Sequence, residues 1–124
     1  MSFGRCSLPI SFAILLSGTA HSAETIPQQF RGEWNANLKA CGTDLDDSRL
    51  MISAHKLSFY ESDGFVRPVT VHNPLAITVH SSFSGEGEVW ESTDRLVLSR
   101  SQENLTINRE NTSFTRDRCP LKKR

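Results

Sequence analysis

Apolar and polar side chains alternate along most of this chain, and this alternation restricts the fold more than any other feature of the sequence. Small or apolar residues take every second position at the start of the pattern, namely Phe30, Gly32, Trp34, Ala36 and Leu38. The same period of two recurs at 50–54 and 75–83. Such alternation predicts strands that bury one face, and no window after residue 23 carries the i, i+3, i+4, i+7 spacing of an amphipathic helix. The sequence therefore predicts an all-β domain.

Turn and break signals divide this pattern into short pieces. Residues 61–64 end in Gly64, which suits a turn position with positive φ, and Pro74 interrupts the chain after residue 73. Further strands are predicted from short apolar runs at 65–71, 88–91, 95–99, 105–108 and 114–119. Because each strand has only one apolar face, we expect a small up-and-down antiparallel β-barrel of about eight strands, closed so that its edges are protected.

Residues 1–23 have the order of a secretory signal peptide. Arg5 precedes the apolar run 8–16, and small residues follow that run. The run is shorter than the roughly 20 residues that span a bilayer, so it predicts a cleaved targeting segment and no membrane span. Cleavage after Ala20 and cleavage after Ala23 both remain open. We expect an exported protein, either periplasmic or secreted.

The remaining residues, 24–124, are enough for a single domain. Lys and Arg together number 14, as do Asp and Glu, so the formal net charge is zero. A neutral balance gives no electrostatic reason to expect nucleic acid or an anionic membrane as partner. The chain has no G-x-S-x-G nucleophile motif. We therefore expect a protein that is not an enzyme and carries no cofactor.

Two cysteines remain once the signal peptide, which contains Cys6, is removed. Cys41 and Cys119 are 78 positions apart, and in an exported domain such a pair is typical of a disulfide. The chain-entropy model gives a loop of this size roughly 4 to 5 kcal/mol of stabilisation. A pair of metal thiolates is the alternative, but neither cysteine belongs to a C-x-x-C motif or has a histidine beside it. We expect no metal at this pair.

A set of motifs near both ends of the chain suggests a relationship to known families. Phe30 to Trp34 reads F-R-G-x-W, and the pair Arg118-Cys119 closes the pattern. The chain resembles a group of short exported bacterial proteins with this opening and this terminal R-C. The G-x-W of the opening is also similar to that of lipocalins and of small periplasmic barrel inhibitors of bacterial metalloproteases. The resemblance implies a barrel in which the tryptophan plugs one end, and it transfers no functional residue.

The candidate binding residues lie in an acidic loop after the first predicted strand. Asp44, Asp46 and Asp47 fall within 42–48, beside Cys41, and lack the spacing of an EF-hand calcium loop. We expect this loop to bind another protein, with a basic cleft such as that of lysozyme-like enzymes as its target, and the protein to be an interaction module such as an inhibitor of a lytic enzyme or protease. The oligomeric state stays open.

A carrier of small apolar ligands or lipids is the alternative function, and it requires an unfilled barrel. Six large aromatic residues are expected to fill the interior instead, namely Trp34, Phe59, Phe65, Phe83, Trp90 and Phe114. The histidines His55, His72 and His80 are expected to face solvent, because the latter two alternate with apolar positions.

Overall fold

The computed structural model describes residues 19–121 and shows an all-β chain. The strands are β1 (His21–Ala23), β2 (Gly32–Asn35), β3 (Leu50–Ile52), β4 (Lys56–Ser58), β5 (Asp63–Val66), β6 (Val69–Asn73), β7 (Ala76–Gly85), β8 (Glu88–Leu98), β9 (Asn104–Arg109) and β10 (Thr112–Arg118). Two 3₁₀ helices cover Gln28–Phe30 and Leu38–Ala40. Most of the predicted signal peptide, residues 1–18, lies outside the described residues. Within the described part no helix is long and apolar enough to cross a membrane.

The strands form a closed antiparallel barrel in chain order. β2, β3, β4, β5, β7, β8, β9 and β10 are successive neighbours, and β10 pairs with β2 to close the ring of eight strands. β6 continues the line of β5 along β7, and β1 adds to the free edge of β6. The predicted up-and-down barrel is therefore confirmed. So is the disulfide between Cys41 and Cys119, whose Cα atoms lie 5.7 Å apart.

A single apolar core occupies the inward faces of the strands. Its buried members are Ile26, Phe30, Trp34, Leu50, Ile52, Leu57, Val69, Val71, Ile77, Val79, Phe83, Leu96, Leu98, Leu105 and Ile107. Trp34 is fully buried in it, and the guanidinium carbon of Arg118 lies 4.2 Å from the centre of its ring. Arg118 also donates hydrogen bonds to the carbonyl oxygens of Gln29 at 2.7 Å and Gln102 at 2.8 Å. This arrangement ties the last strand to the segment that enters the first.

Two of the six aromatic residues expected inside the barrel are not buried. Trp34 and Phe83 are fully buried, and Phe59 and Phe114 pack against the core. The prediction was wrong for Phe65, which is 58% exposed because it lies on the outward face of β5. It was also wrong for Trp90, which is 38% exposed because it lies near the open end of β8.

Gly64 lies in β5 and not in the predicted turn at 61–64. The connection between β4 and β5 is 59–62, and Gly64 pairs with Leu57 on one side and Phe83 on the other. A Cβ at this position would lie 2.6 Å from Cζ of Phe83. Glycine is required here because the phenyl ring occupies the space of a side chain, not because the backbone turns.

The first predicted strand is shorter than the alternation at 30–38 suggested. β2 ends at Asn35, whose buried Oδ1 accepts hydrogen bonds from the backbone N–H of Asn37 at 2.9 Å and from Oγ of Ser48 at 2.8 Å. These bonds turn the chain out of the barrel. Leu38 is consequently 52% exposed, in a 3₁₀ helix.

The two strands predicted at 88–91 and 95–99 are one continuous strand, β8. The polar residues between them suggested a break. In the structure Asp94 faces the interior and is fully buried, since it is paired there with Arg109. The strand therefore continues where a break was expected, because Asp94 is accommodated inside the barrel by its ion pair with Arg109.

Candidate functional site

One end of the barrel gathers the acidic loops. In an up-and-down barrel alternate connections lie at the same end, which here places 36–49, 59–62, 86–87 and 110–111 together. The three predicted aspartates lie beside Tyr60, with which they line one depression. The structure thus brings the predicted loop into contact with a second loop that sequence reasoning treated only as a turn.

The three predicted aspartates differ in what they do. Asp46 accepts hydrogen bonds from the backbone N–H of Ser48 at 2.8 Å and from its Oγ at 2.6 Å, and these bonds hold the pKa of Asp46 below its usual value. Asp46 therefore shapes the loop. Asp44 is paired with Arg49 at 2.8 Å, but its side chain is 87% exposed, and Asp47 is exposed as well. Asp44 and Asp47 are the two that are exposed to solvent.

A second acidic group, missed in the sequence, faces the first across the barrel end. Glu61, Glu86 and Glu88 line a depression together with Trp90. The carboxyl groups of Glu61 and Glu86 lie within hydrogen-bonding reach, and this contact, with their mutual repulsion, raises the pKa of Glu61; Asp47 adds to the effect. We call this surface the acidic end, comprising Asp44, Asp46, Asp47, Glu61, Glu86 and Glu88 around Tyr60 and Trp90.

The hairpin between β7 and β8 presents its glutamates on a tight turn. Glu86 has φ of 50° and Gly87 has φ of 79°, both in the left-handed region. Two successive residues of this kind match the two-residue turn that suits the twist of a hairpin. The sequence motif G-E-G at 85–87 could have predicted this turn. Its shortness holds Glu86 and Glu88 in defined positions.

Exposed aromatic and apolar side chains lie among these carboxylates. Tyr60 is 55% exposed, and Leu45 of the acidic loop is 89% exposed. Trp90 stacks on Phe83, with ring centres 5.7 Å apart and an angle of 9° between the planes. Trp90 is thus held rigidly at the surface, where one part of it remains open to contact.

A buried ion pair supports this end from within. Arg109 donates two hydrogen bonds to the carboxylate of Asp94, at 2.7 and 2.9 Å. The guanidinium carbon also lies 5.5 Å from the ring centre of Phe59 and 5.3 Å from that of Phe83. The bonds to Asp94 raise the pKa of Arg109, so the pair stays charged and positions the aromatic rings. The pair has a structural role, because both carboxylate oxygens of Asp94 accept hydrogen bonds from Arg109.

The disulfide fixes the base of the acidic loop against the barrel wall. Cys41 lies directly before Gly42, whose N–H donates to Oε2 of Glu33 at 2.7 Å. Among the described residues, Glu33 and the two cysteines form the one group whose ligand atoms lie close enough to hold a metal ion. Both sulfurs of that group are in the disulfide, and the carboxylate is engaged with the loop.

Of the three predicted histidines, His72 and His80 lie on strands and His55 lies in the β3–β4 connection, all outside the acidic end. His55 and His80 are exposed, as expected, and Nδ1 of His80 lies 2.8 Å from Oγ1 of Thr93. His72 is partly buried, with Nε2 at 2.7 Å from Oγ1 of Thr78. These partners are neighbouring threonines on the sheet.

Comparison of the chain with protein-family models, with curated proteins and with solved structures gave no match. The functional interpretation therefore depends on the geometry of the acidic end.

The pairing of Glu61 with Glu86 predicts a pH-dependent change in stability. Because the folded protein raises the pKa of Glu61 above its usual 4.5, the associated stability is complete below that pH and is lost as the pH rises through the folded value. Replacing Glu61 with glutamine removes the repulsion, so Glu61→Gln is expected to raise Tm at pH 7. The gain should disappear in acid. Thermal unfolding from pH 3 to pH 8 measures it, with Glu24→Gln, an exposed site on another surface, as the control. A gain that is the same at every pH would contradict the pairing.

Proposed function

We propose that this protein is an exported, non-enzymatic interaction module that binds a basic surface of another protein through the acidic end. The observation that carries the proposal is the grouping of two sets of carboxylates around the exposed rings of Tyr60 and Trp90 at one end of the barrel. Opposite charge steers the encounter and selects the partner, while aromatic side chains supply contact area at low entropic cost. A basic cleft on a lytic enzyme or protease fits this chemistry.

The support beneath the acidic end favours binding over a purely solvated surface. The disulfide at Cys41 tethers one loop, the tight turn at 86–87 fixes another, and stacking on Phe83 orients Trp90. Surfaces that are rigid before binding lose less conformational freedom when a partner is bound. The G-x-W of the opening is similar both to that of lipocalins and to that of small periplasmic barrel inhibitors, so it does not separate this role from that of a carrier.

The packed core makes a carrier of apolar ligands the weaker proposal. The interior of the barrel holds large side chains that are completely buried, Trp34, Phe30 and Phe83 among them. A carrier of this size needs that space for its ligand. The acidic end also offers charged groups, which an apolar ligand does not use.

Export and removal of a signal peptide belong to the proposal as well. A disulfide is compatible with an oxidising compartment. β1 pairs with β6 through His21, Ser22 and Ala23, and residues 69–71 of β6 face it directly. Cleavage after Ala20 keeps this strand in the mature protein, whereas cleavage after Ala23 removes it. We therefore favour Ala20 as the last residue of the signal peptide.

A capture experiment with a charge-neutralised variant tests the proposed function. The variant carries Asp44→Asn, Asp47→Asn, Glu61→Gln, Glu86→Gln and Glu88→Gln. The mature protein is immobilised and incubated with a periplasmic or secreted extract, from which it should retain a basic protein that the variant does not retain. Loss of only 1.4 kcal/mol of interaction with the five carboxylates would weaken the affinity about tenfold. The affinity of the intact protein should also fall as salt rises.

The matched control carries Glu24→Gln and Glu103→Gln, two exposed carboxylates outside the acidic end. It should capture the same partner as the unmodified protein. Equal capture by the neutralised variant, with unchanged salt dependence, would refute the proposed function. A lipid that copurifies in place of a protein would favour the carrier.

A further inference from the structure

The part of β8 nearest the acidic end has a neighbouring strand on one side only. β7 pairs with β8 along Glu88–Val97, whereas β9 pairs only with Arg95–Leu98. β9 ends at Arg109 and turns back at 110–111, so within residues 19–121 no strand covers the other edge of β8 from 88 to 94. Along that edge, the backbone N–H and C=O groups of alternate residues lie in the plane of the sheet with no strand beside them. Such an edge is a template for another strand.

Charge is the one protective feature of this edge. Folded proteins commonly cover such edges or protect them with charged side chains, proline or a bulge, and here the charged residues are Glu88 and Glu91. Residues 88–93 contain neither lysine nor proline, and their register with β7 is continuous. Val89 is 75% exposed on one face of the strand, and Trp90 is 38% exposed on the other. The edge is therefore regular, apolar in part and accessible.

The charge around the edge selects what can bind there. Glu88 and Glu91 lie within it, and Glu86 and Glu61 lie at its outer end. Arg67 forms an ion pair with Glu91 at 3.7 Å, and both of these side chains are about two-thirds exposed. A second copy of this chain carries the same glutamates on its own edge, and like charges directly opposite each other on adjacent strands are destabilising. A segment with lysine or arginine at alternate positions has the complementary charge.

We propose that the edge formed by Val89–Thr93 binds an extended basic segment of the partner protein as an additional β-strand. The inference rests on the proposed function and specifies its partner: a stretch of about five or six residues, some 17–20 Å long, in which basic and apolar side chains alternate. Its backbone hydrogen-bonds to β8. Its basic side chains lie on the face of β8 that carries Glu88 and Trp90, where they meet a carboxylate and an aromatic ring that favours cations, and its apolar side chains lie on the face of Val89.

The test uses the acetylated and amidated heptapeptide Lys-Val-Lys-Val-Lys-Val-Lys as a probe, in three forms. One form has an unmodified backbone, one is N-methylated at the valines, and one is N-methylated at the three lysines that follow a valine. All three keep their charge and side chains, but in a strand alternate N–H groups point to the same side, so only one methylated form loses the hydrogen bonds to β8. Binding to the mature protein is measured by fluorescence anisotropy.

The proposal predicts that the unmodified peptide binds and that one methylated form binds about tenfold more weakly or worse, while the other stays close to the unmodified peptide. Amide exchange at alternate residues from Val89 to Thr93 should slow when the unmodified peptide is bound. Val89→Lys should weaken binding by a similar factor. Thr106→Lys, which adds the same charge on β9 at a position paired with both β8 and β10, should not.

Equal binding of all three peptides would overturn strand addition and would leave binding by charge at the acidic end intact. Failure of the unmodified peptide to bind would overturn it too. Slow exchange at these residues without peptide, together with a dimer in analytical ultracentrifugation, would assign the edge to a second copy and contradict the proposal. The proposed function itself fails only in the capture experiment, so the two failures are distinguishable.

Discussion

Replacing Arg109 with methionine is expected to lower the free energy of unfolding by about 3 kcal/mol, because the change leaves the carboxylate of Asp94 buried without its partner. The value lies at the lower end of the range for buried pairs since the side chain of Arg109 is 33% exposed. Methionine keeps an apolar stem between Phe59 and Phe83, so lost packing contributes little. Urea unfolding at neutral pH gives the measurement.

Two further variants show whether the buried charge is the cause. Asp94→Leu combined with Arg109→Met removes both charges and should recover much of the loss. Arg67→Met removes a cation from an ion pair that is open to solvent and should cost less than about 1 kcal/mol. A double variant as unstable as Arg109→Met alone would show that packing, and not the unpaired carboxylate, determines the effect.

Loss of the disulfide is the other large effect expected. Replacing Cys41 and Cys119 together with alanine should lower the free energy of unfolding by about 4 kcal/mol, because the bond closes a long loop in the unfolded chain. For a domain of this size the change corresponds to a Tm lower by about 20 °C. Thermal unfolding with and without a reductant measures it.

The cysteine-free variant also serves as the control for the reductant. Its Tm should be unaffected by a dithiol, whereas that of the unmodified protein should fall towards the same value. Two reactive thiols at Cys41 and Cys119 in protein purified from an oxidising compartment would contradict the bond. The acidic loop should become more mobile in the variant, since Cys41 anchors its base next to Gly42.

The barrel was predictable because apolar residues occupy every second position of its strands, and these are the positions that are buried. Ile77, Val79 and Phe83 are buried on β7 as the period of two requires, and Leu105 and Ile107 behave in the same way on β9. The disulfide followed from the number of cysteines and from the closure of the first strand on the last. These features depend on local patterns that the linear sequence contains.

The errors arose where a residue's role depends on a distant neighbour. Gly64 looked like a turn residue, but the ring of Phe83 determines its place. Asp94 looked like part of a loop because its partner, Arg109, lies on another strand. The linear pattern contains no signal for either contact.

The candidate site was only half visible in the sequence for the same reason. Asp44, Asp46 and Asp47 stand together in the chain and were found. Glu61 and Glu86 are 25 positions apart and meet only because the β4–β5 and β7–β8 connections share one end of the barrel. Their proximity is a property of the topology, which the sequence specifies only through the closed fold.

The most direct test of the account is a map of the partner's footprint on the protein. Backbone amide shifts of the mature protein, recorded by NMR during titration with the captured partner, report which residues meet it. We expect the shifts to concentrate at 44–47, 59–62 and 86–93, the acidic end and the edge beside it. Shifts confined to the opposite end, at 28–31 and 99–103, would contradict the central claim that the acidic end is the binding surface.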